Sequence, residues 1–174
     1  MKILALDVAT NTGICVGTPG ADPRCWSVNL GKAPDERRFS NILKLTQGLI
    51  ETHSPDLIVI EAFIGGKNAS AYLIGLVACV RGCAANRAIK TEMVFPATVR
   101  KHFLGKAMTS RDFSGLSTAK AKLAIKGAVA ERCRLLGWNV ETGDEADACA
   151  TWDWACATYA PRYQAKPLGG LFNG

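Results

Sequence analysis

The sequence lacks the residue patterns that mark several common kinds of metal site. It has only two histidines, His53 and His102, and none of its seven cysteines forms a Cys-x-x-Cys pair. Cys79 and Cys83 could share a helix face, but no second ligand pair accompanies them. Zinc ligands normally come in closely spaced pairs, so we expect no zinc site. We expect the thiols to be small buried side chains kept reduced.

Nucleotide-binding loops and long apolar runs are also missing. No Gly-x-Gly-x-x-Gly follows the first predicted strand, and no Gly-x-x-x-x-Gly-Lys-Ser/Thr occurs, which argues against dinucleotide-binding and P-loop folds. The longest nearly apolar run, from Ala71 to Val80, is about half the length of a membrane span. An acid at position 7 comes too early for a signal peptide. We therefore expect a cytoplasmic protein that makes no membrane contact.

Charge is distributed unevenly along the 174 residues, which carry a net charge of +6. Residues 81–134 hold twelve basic and three acidic residues, whereas residues 135–174 hold two basic and five acidic residues. The basic block is either a solvated helix surface or a surface that neutralises phosphates. The hydrophobic content of 48% is typical of a globular protein. We expect one domain over residues 1–160 and a flexible tail, rich in Pro and Gly, over 161–174.

Hydrophobic periodicity and turn residues predict the order of the secondary structure. Strands are predicted at residues 2–7, 14–18 and 25–30, with turns at 11–13 and 19–20, and further strands at 56–61 and 91–95. Helices are predicted at 34–53, 69–87, 96–103, 117–136 and 144–159, and a short extended piece at 138–140. This order predicts an α/β fold with a five-stranded mixed sheet, one strand of it antiparallel, flanked by helices.

Two acids end apolar strands. Asp7 closes the first strand and Glu61 closes the run Leu-Ile-Val-Ile. Each could simply reach solvent, but ligands of open α/β sheets gather at the carboxyl ends of strands. If these two strands are adjacent and parallel, the two carboxylates lie close together, which is unfavourable unless a cation joins them. Hard oxygen ligands favour Mg²⁺ or Mn²⁺.

A second acidic group opens the last predicted helix. Asp144 and Asp147 are three residues apart and therefore share a helix face, whereas Glu145 points off that face. Acids in a first turn can serve only to stabilise the helix dipole. Mostly small and apolar residues follow, however, so the helix is predicted to be buried and to direct Asp144 and Asp147 into a pocket.

These motifs, in this order, resemble those of the ribonuclease H-like nucleases, specifically the RuvC-type Holliday-junction resolvases. The stretches that carry the resemblance run from Ile3 to Gly13, from Ile58 to Ala69 and from Asp144 to Ala150. The resemblance covers nearly the whole chain. It implies the ribonuclease H-like fold and an endonuclease that cleaves Holliday junctions, and other branched DNA, for recombination and repair. It also implies a homodimer, since a four-way junction needs two symmetric cuts.

The resemblance also implies roles for individual residues. It assigns Asp7, Glu61, Asp144 and Asp147 as catalytic ligands of two metal ions, Mg²⁺ or Mn²⁺. The resemblance also implies a set of DNA-binding residues, to which we add neighbours in the basic block. The full set is Phe63, Lys67, Asn68, Arg100, Lys101, Lys120 and Lys122.

The chain departs from the family pattern at two places. Asp7-Val8-Ala9 stands where the family commonly has Asp-Pro-Gly. Phe63 comes two residues after Glu61, whereas the family's aromatic wedge comes three residues after its Glu. These departures suggest a divergent member, such as a phage-encoded one.

Other classes of protein share parts of this pattern. A non-catalytic branched-DNA binder or a ribonuclease H acting on RNA–DNA hybrids would have the same fold. Actin-like and sugar-kinase ATPases share an Asp-led first hairpin, but they generally need two domains and a second Gly-rich phosphate loop. The late Asp-x-x-Asp and the long basic region favour the resolvase over these alternatives.

Overall fold

In the computed structural model, which describes residues 1–63, 70–160 and 162–164, one sheet lies between two groups of helices. The strands are β1 (Ile3–Asp7), β2 (Asn11–Gly17), β3 (Arg24–Asn29), β4 (Leu57–Glu61) and β5 (Lys90–Val94). The helices are α1 (Asp35–His53), α2 (Ala71–Ala85), α3 (Pro96–Leu104), α4 (Thr118–Leu135) and α5 (Gly143–Tyr159), with a single 3₁₀ turn at Ser110–Asp112.

The sheet has the order β3-β2-β1-β4-β5. Strands β1, β4 and β5 are parallel to one another, and β2 runs antiparallel to both of its neighbours, β1 and β3. The predicted five-stranded mixed sheet with one antiparallel strand is therefore confirmed. Leu6 pairs with Ile60, so β1 and β4 end side by side at the same edge. This pairing meets the condition under which the two strand-end acids come together.

The alternation of side chains along each strand divides the core between the two faces of the sheet. Residues that pack against α3, α4 and α5 include Ile3, Ala5, Leu57 and Val59. Residues that pack against α1 and α2 include Leu4, Leu6, Ile58 and Ile60. Asp7 and Glu61 continue the first series, two residues beyond Ala5 and Val59. The period of two thus places both acids on the α5 side of the sheet.

One local prediction differs from the structure. Asn11 to Gly13 was predicted as a turn before β2, but β2 begins at Asn11. These residues pair on both sides, because Gly13 lies between Asp7 of β1 and Ser27 of β3. Tertiary neighbours here outweigh the local turn propensity. Residues 138–140, predicted as a short extended piece, belong to none of the five strands, and Trp138 and Val140 are buried in the core.

The expectation that all thiols are reduced is wrong for one pair of cysteines. Cys25 of β3 and Cys149 of α5 form a disulfide across 124 residues of chain. The sulfur of Cys15, a buried residue directly opposite Cys25 in the sheet, lies within 4.8 Å of both bonded sulfurs. Spacing along the sequence gave no sign of the pairing, because it joins an edge strand to the last helix. The disulfide fixes α5 against the antiparallel part of the sheet.

We predict that reduction of this disulfide lowers the stability of the protein. A cross-link that closes so long a loop typically stabilises a protein by about 2–4 kcal/mol, largely by restricting the unfolded chain. Urea unfolding with and without a phosphine reductant would measure the difference. Cys25→Ser should remove the response to reductant, whereas Cys79→Ser, at a free cysteine on α2, should leave it intact. Equal stability of the wild type in both conditions would contradict the prediction.

The C-terminal tail predicted at 161–174 falls largely outside the described residues. Where the chain is described there, the Tyr163 hydroxyl donates a hydrogen bond to Asp153 of α5 at 2.5 Å. Within the described ranges, no helix has both the length and the apolar character to cross a membrane.

Candidate active site

The two strand-end acids line a cleft at the carboxyl edge of the sheet. The cleft has a volume of about 200 Å³, and Asp7, Glu61, Phe63, Pro96 and Arg100 are among its lining residues. Pro96 and Arg100 belong to α3, which begins just after β5, whose last residue pairs with Glu61. The end of a third parallel strand thus brings a basic side chain next to the two acids.

Helix α5 brings the second pair of acids to the same place. Thr142 caps its N-terminus in a capping box with Glu145. The Glu145 carboxylate also accepts a hydrogen bond from Ser27 at 2.8 Å. Its oxygens therefore already accept hydrogen bonds that stabilise the N-terminus of α5. Asp147 is buried and Asp144 is partly exposed. The expectation that Glu145 is the weaker candidate for a ligand agrees with these contacts.

Gly13 explains how α5 can approach the sheet so closely. A Cβ atom at this position would lie 2.0 Å from the carbonyl oxygen of Asp144 and 2.5 Å from its carbonyl carbon. Only a residue without a side chain leaves room for the first turn of α5 there. Because Gly13 also pairs with Asp7, the close contact sets the position of Asp144 relative to Asp7.

Lys126 of α4 lies within the acidic cluster. Its Nζ is 2.5 Å from Oδ1 of Asp144 and 3.3 Å from Oδ2 of Asp147. The other Asp144 oxygen accepts a hydrogen bond from Asn11 Nδ2 at 2.6 Å. The sequence placed Lys126 in the basic block, and nothing in its local pattern distinguished it from lysines that face solvent. Its role is visible only in the tertiary structure.

The electrostatics divide the four acids into two groups. Burial, and then the Asp147 carboxylate, raises the pKa of Asp7 to about 7. Burial, and then the Asp7 carboxylate, raises the pKa of Glu61 to about 9, and burial also raises the pKa of Asp147. Burial acts in the same direction on Asp144, but hydrogen bonds from Lys126 and Asn11 outweigh it and lower its pKa. A negative charge is therefore unfavourable on Asp7, Glu61 and Asp147, whereas it is stabilised on Asp144.

The same shifts predict how stability depends on pH. A carboxyl group whose pKa is raised by folding binds more protons in the folded chain, so it stabilises the fold at low pH and less as pH rises. In a chelator we expect the free energy of unfolding to fall as pH rises from about 4, the ordinary pKa of a carboxyl group, to about 9, the raised pKa of Glu61. Thermal unfolding measured at several pH values across this range would show the fall in stability.

Two variants and the addition of Mg²⁺ separate this cause of the pH dependence from others. Asp7→Asn should flatten the pH dependence, whereas Glu36→Gln, at an exposed acid on α1, should leave it unchanged. Mg²⁺ should stabilise the wild type most at the alkaline end, where the carboxylates are ionised. A pH dependence that Asp7→Asn does not alter would contradict the assignment.

The donor set fits a hard divalent cation. All four side chains offer carboxylate oxygens, the ligands that Mg²⁺ and Mn²⁺ prefer. Among the described residues, none donates a hydrogen bond to Asp7 or Glu61, so these two have no partner for their negative charge at bonding distance. Within the same ranges, no three of the acids place one oxygen each within 4.8 Å of one another. Joint coordination of an ion would thus draw these side chains closer together.

The predicted DNA-binding residues occupy different environments. Arg100 is partly buried in the cleft and donates a hydrogen bond to the Met108 carbonyl at 3.3 Å. Lys101, Lys120 and Lys122 are exposed on α3 and on the first turns of α4. Phe63 is partly buried against the core under α1 and α2, at the cleft wall. Lys67 and Asn68 lie outside the described residues.

Comparison with solved structures finds the same fold in junction resolvases. A Thermus thermophilus RuvC structure aligns with a TM-score of 0.62 and 19% identity over 87% of this chain and 90% of that chain. The structure of T. thermophilus RuvC in complex with Holliday junction substrate aligns with a TM-score of 0.62 and 15% identity over the same shares. The structure of the yeast mitochondrial Holliday junction resolvase Ydc2 aligns with a TM-score of 0.51 and 15% identity over 86% of this chain and 75% of that chain.

No protein-family model matches the chain, and no curated protein sequence matches it either. At identities of 15–19% the likeness establishes the fold, and the chain has the RuvC-like, ribonuclease H-like fold that the sequence motifs predicted.

Proposed function

We propose that the protein is a divalent-metal-dependent endonuclease that cleaves Holliday junctions and other branched DNA. The observation that carries the proposal is the convergence of four carboxylates, from β1, β4 and α5, at one edge of a RuvC-like sheet. The solved neighbours include a RuvC bound to Holliday junction substrate, which supports this substrate class.

In this proposal the chain's own residues hold the metal and the DNA. Asp7, Glu61, Asp144 and Asp147 provide the ligands, and the sequence-based expectation of two Mg²⁺ or Mn²⁺ ions stays a prediction. Bound ions would activate a water molecule and stabilise the departing 3′ oxygen of the phosphodiester. Arg100, whose charge acts on Asp7 and Glu61 within the cleft, would offset the negative charge of the incoming phosphate.

The exposed lysines of α3 and α4 would hold the arms of the junction. Contacts of this type are made mostly to phosphates, so they position the DNA and read its shape more than its sequence. Two symmetric cuts across a junction require two active sites, so we propose that the protein acts as a homodimer. A segment next to the catalytic Glu, including Phe63, Lys67 and Asn68, would contact the branch point.

The direct test is cleavage of defined substrates. Purified protein would be incubated with labelled four-way junction, replication fork, duplex and RNA–DNA hybrid, with and without Mg²⁺. We expect Mg²⁺-dependent paired cuts in the four-way junction and little cutting of duplex. Cutting confined to the hybrid would instead identify a ribonuclease H, and tight junction binding without any cutting would identify a non-catalytic binder.

We predict that residues of the basic block contribute to junction binding by contacting phosphates. Lys120→Ala and Arg100→Ala should each weaken junction binding and reduce the slope of log K against log salt by about one unit. Fluorescence anisotropy at several salt concentrations would give the slopes. Lys44→Ala, at an exposed lysine on α1, serves as the control and should leave the slope unchanged. Unchanged slopes for both Lys120→Ala and Arg100→Ala would mean that the basic block is only a solvated surface.

A further inference from the structure

Lys126 is placed among the acids as a fixed cation. Its ammonium group contacts one oxygen of Asp144 and one of Asp147, the two acids on the same face of α5. The Asp147 side chain is only 9% exposed and the Asp144 side chain 24% exposed. The Lys126 side chain is 40% exposed, so the pairs are partly buried and are screened less than pairs on an open surface.

The stem of Lys126 is also held in place. A Cβ atom added at Gly143 would lie 2.9 Å from Cδ and 3.2 Å from Cβ of Lys126. Because Gly143, the residue before Asp144, has no side chain, the aliphatic part of Lys126 can pack directly against the backbone there. Lys126 also lies next to Ile125, which is buried in the core. Packing and ion pairs thus fix the ammonium position together.

The four acids of the cluster differ in how many hydrogen-bond donors contact them. Asp144 has both oxygens occupied, one by Lys126 and the other by Asn11. Among the described residues, by contrast, Asp7 and Glu61 have no hydrogen-bond donor, although the Arg100 charge acts on both. The uncompensated charge lies with the two strand-end acids, and the charge at Asp144 is already balanced.

We propose that the Lys126 ammonium replaces one of the two expected metal ions, so that the chain binds a single divalent cation at Asp7, Glu61 and Asp147. The inference rests on the proposed metal-dependent function. Before DNA binds, formal charge agrees with it, because one divalent ion together with Lys126 and Arg100 balances the four carboxylates. In the same DNA-free state a second divalent ion would leave the partly buried cluster with an excess of positive charge. Lys126 is then a positioning residue, which holds Asp144 and Asp147 in place of a metal.

The number of bound ions tests the proposal without relying on cleavage. Titration of the purified protein with Mn²⁺, followed by electron paramagnetic resonance of the free ion, counts sites per chain. We expect one site in the wild type and two in Lys126→Met, which keeps an unbranched side chain of nearly the same length but removes its charge. Lys126→Arg, which restores a cation, should return the count to one. Lys44→Met, an equal loss of charge on α1, should also bind one ion.

The outcomes separate this inference from the proposed function. Two sites in the wild type, or one site in Lys126→Met, would overturn the role of Lys126. If a wild type that binds two ions also cleaves junctions, the proposed function stands and only the inference fails. If the wild type binds one ion but cuts no junction under any condition, the inference stands and the proposed function fails. Circular dichroism of each variant would confirm that it is folded.

Discussion

Asp7→Asn is expected to abolish junction cleavage and to leave junction binding nearly intact. Asp7 lies between Glu61 on the neighbouring strand and the acids of α5, and its charge acts on both Glu61 and Lys126. Bound metal typically contributes several kcal/mol to stabilising charge in the transition state, and each 1.36 kcal/mol is a factor of ten in rate. We therefore expect a loss of about a thousandfold or more in the cleavage rate.

The substitution should not damage the fold. The amide has almost the same shape as the carboxylate. It also removes a carboxyl group whose pKa is raised by burial and then by the Asp147 carboxylate. In a chelator at alkaline pH the variant should be at least as stable as the wild type. Binding to a labelled junction in Ca²⁺ or chelator should remain within a few fold.

A matched control and a clear contrary result are available for this prediction. Glu36→Gln makes the same type of change at an exposed acid of α1 and should cleave junctions at the wild-type rate. Single-turnover cleavage in Mg²⁺ would measure all three proteins. Substantial Mg²⁺-dependent cutting by Asp7→Asn would sink the proposed mechanism, because no other described residue could take the place of this carboxylate between β4 and α5.

Gly13→Ala is expected to have the second large effect, on stability and activity together. The new methyl group would lie 2.0 Å from the Asp144 carbonyl oxygen, well inside van der Waals contact. Strand β2 cannot yield easily, because it is paired with β1 on one side and with β3 on the other. The first turn of α5 must therefore move away from the sheet. Overpacking of this kind typically costs about 1–3 kcal/mol, and occasionally more.

The displacement would also disturb the acidic cluster. Asp144 and Asp147 lie on the turn that must move, and a shift of about 1 Å in a catalytic group can cost about a hundredfold in rate. Urea unfolding and junction cleavage should therefore both show the defect. Gly48→Ala is the matched control: this glycine lies on α1, and a Cβ there meets nothing within 4 Å. That variant should gain up to about 1 kcal/mol from helix propensity and should cleave normally.

Much of the framework can be predicted from local sequence patterns. The runs before Asp7 and Glu61 predicted buried strands, and the acids of α5 were found at the start of a helix because a buried apolar stretch follows them. The boundaries of α3 and α4 also follow local signals, with Pro96 opening one helix and Ser117 capping the other. These signals can be recognised because hydrophobic periodicity, proline and capping residues act within a few positions of one another.

Other features could not be predicted, because they depend on residues that are distant in the sequence. The start of β2 at Asn11 was missed, since the pairing of Gly13 with Asp7 and Ser27 overrode a turn-forming composition. The Cys25–Cys149 disulfide was missed for the same reason. A pattern read along the chain gives no information on which edge strand meets which helix.

The sequence by itself determined which residue types stand at the ends of the apolar segments, and therefore that acids gather at the carboxyl edge of an α/β sheet. Only the tertiary structure decided how those acids are balanced. Asn11 and Asp144 are 133 residues apart, and Lys126 meets Asp144 only because α4 packs beside the first turn of α5 at Gly143. Alternation and capping are local consequences of backbone geometry, whereas the pairing of buried charges depends on which elements the hydrophobic core brings together.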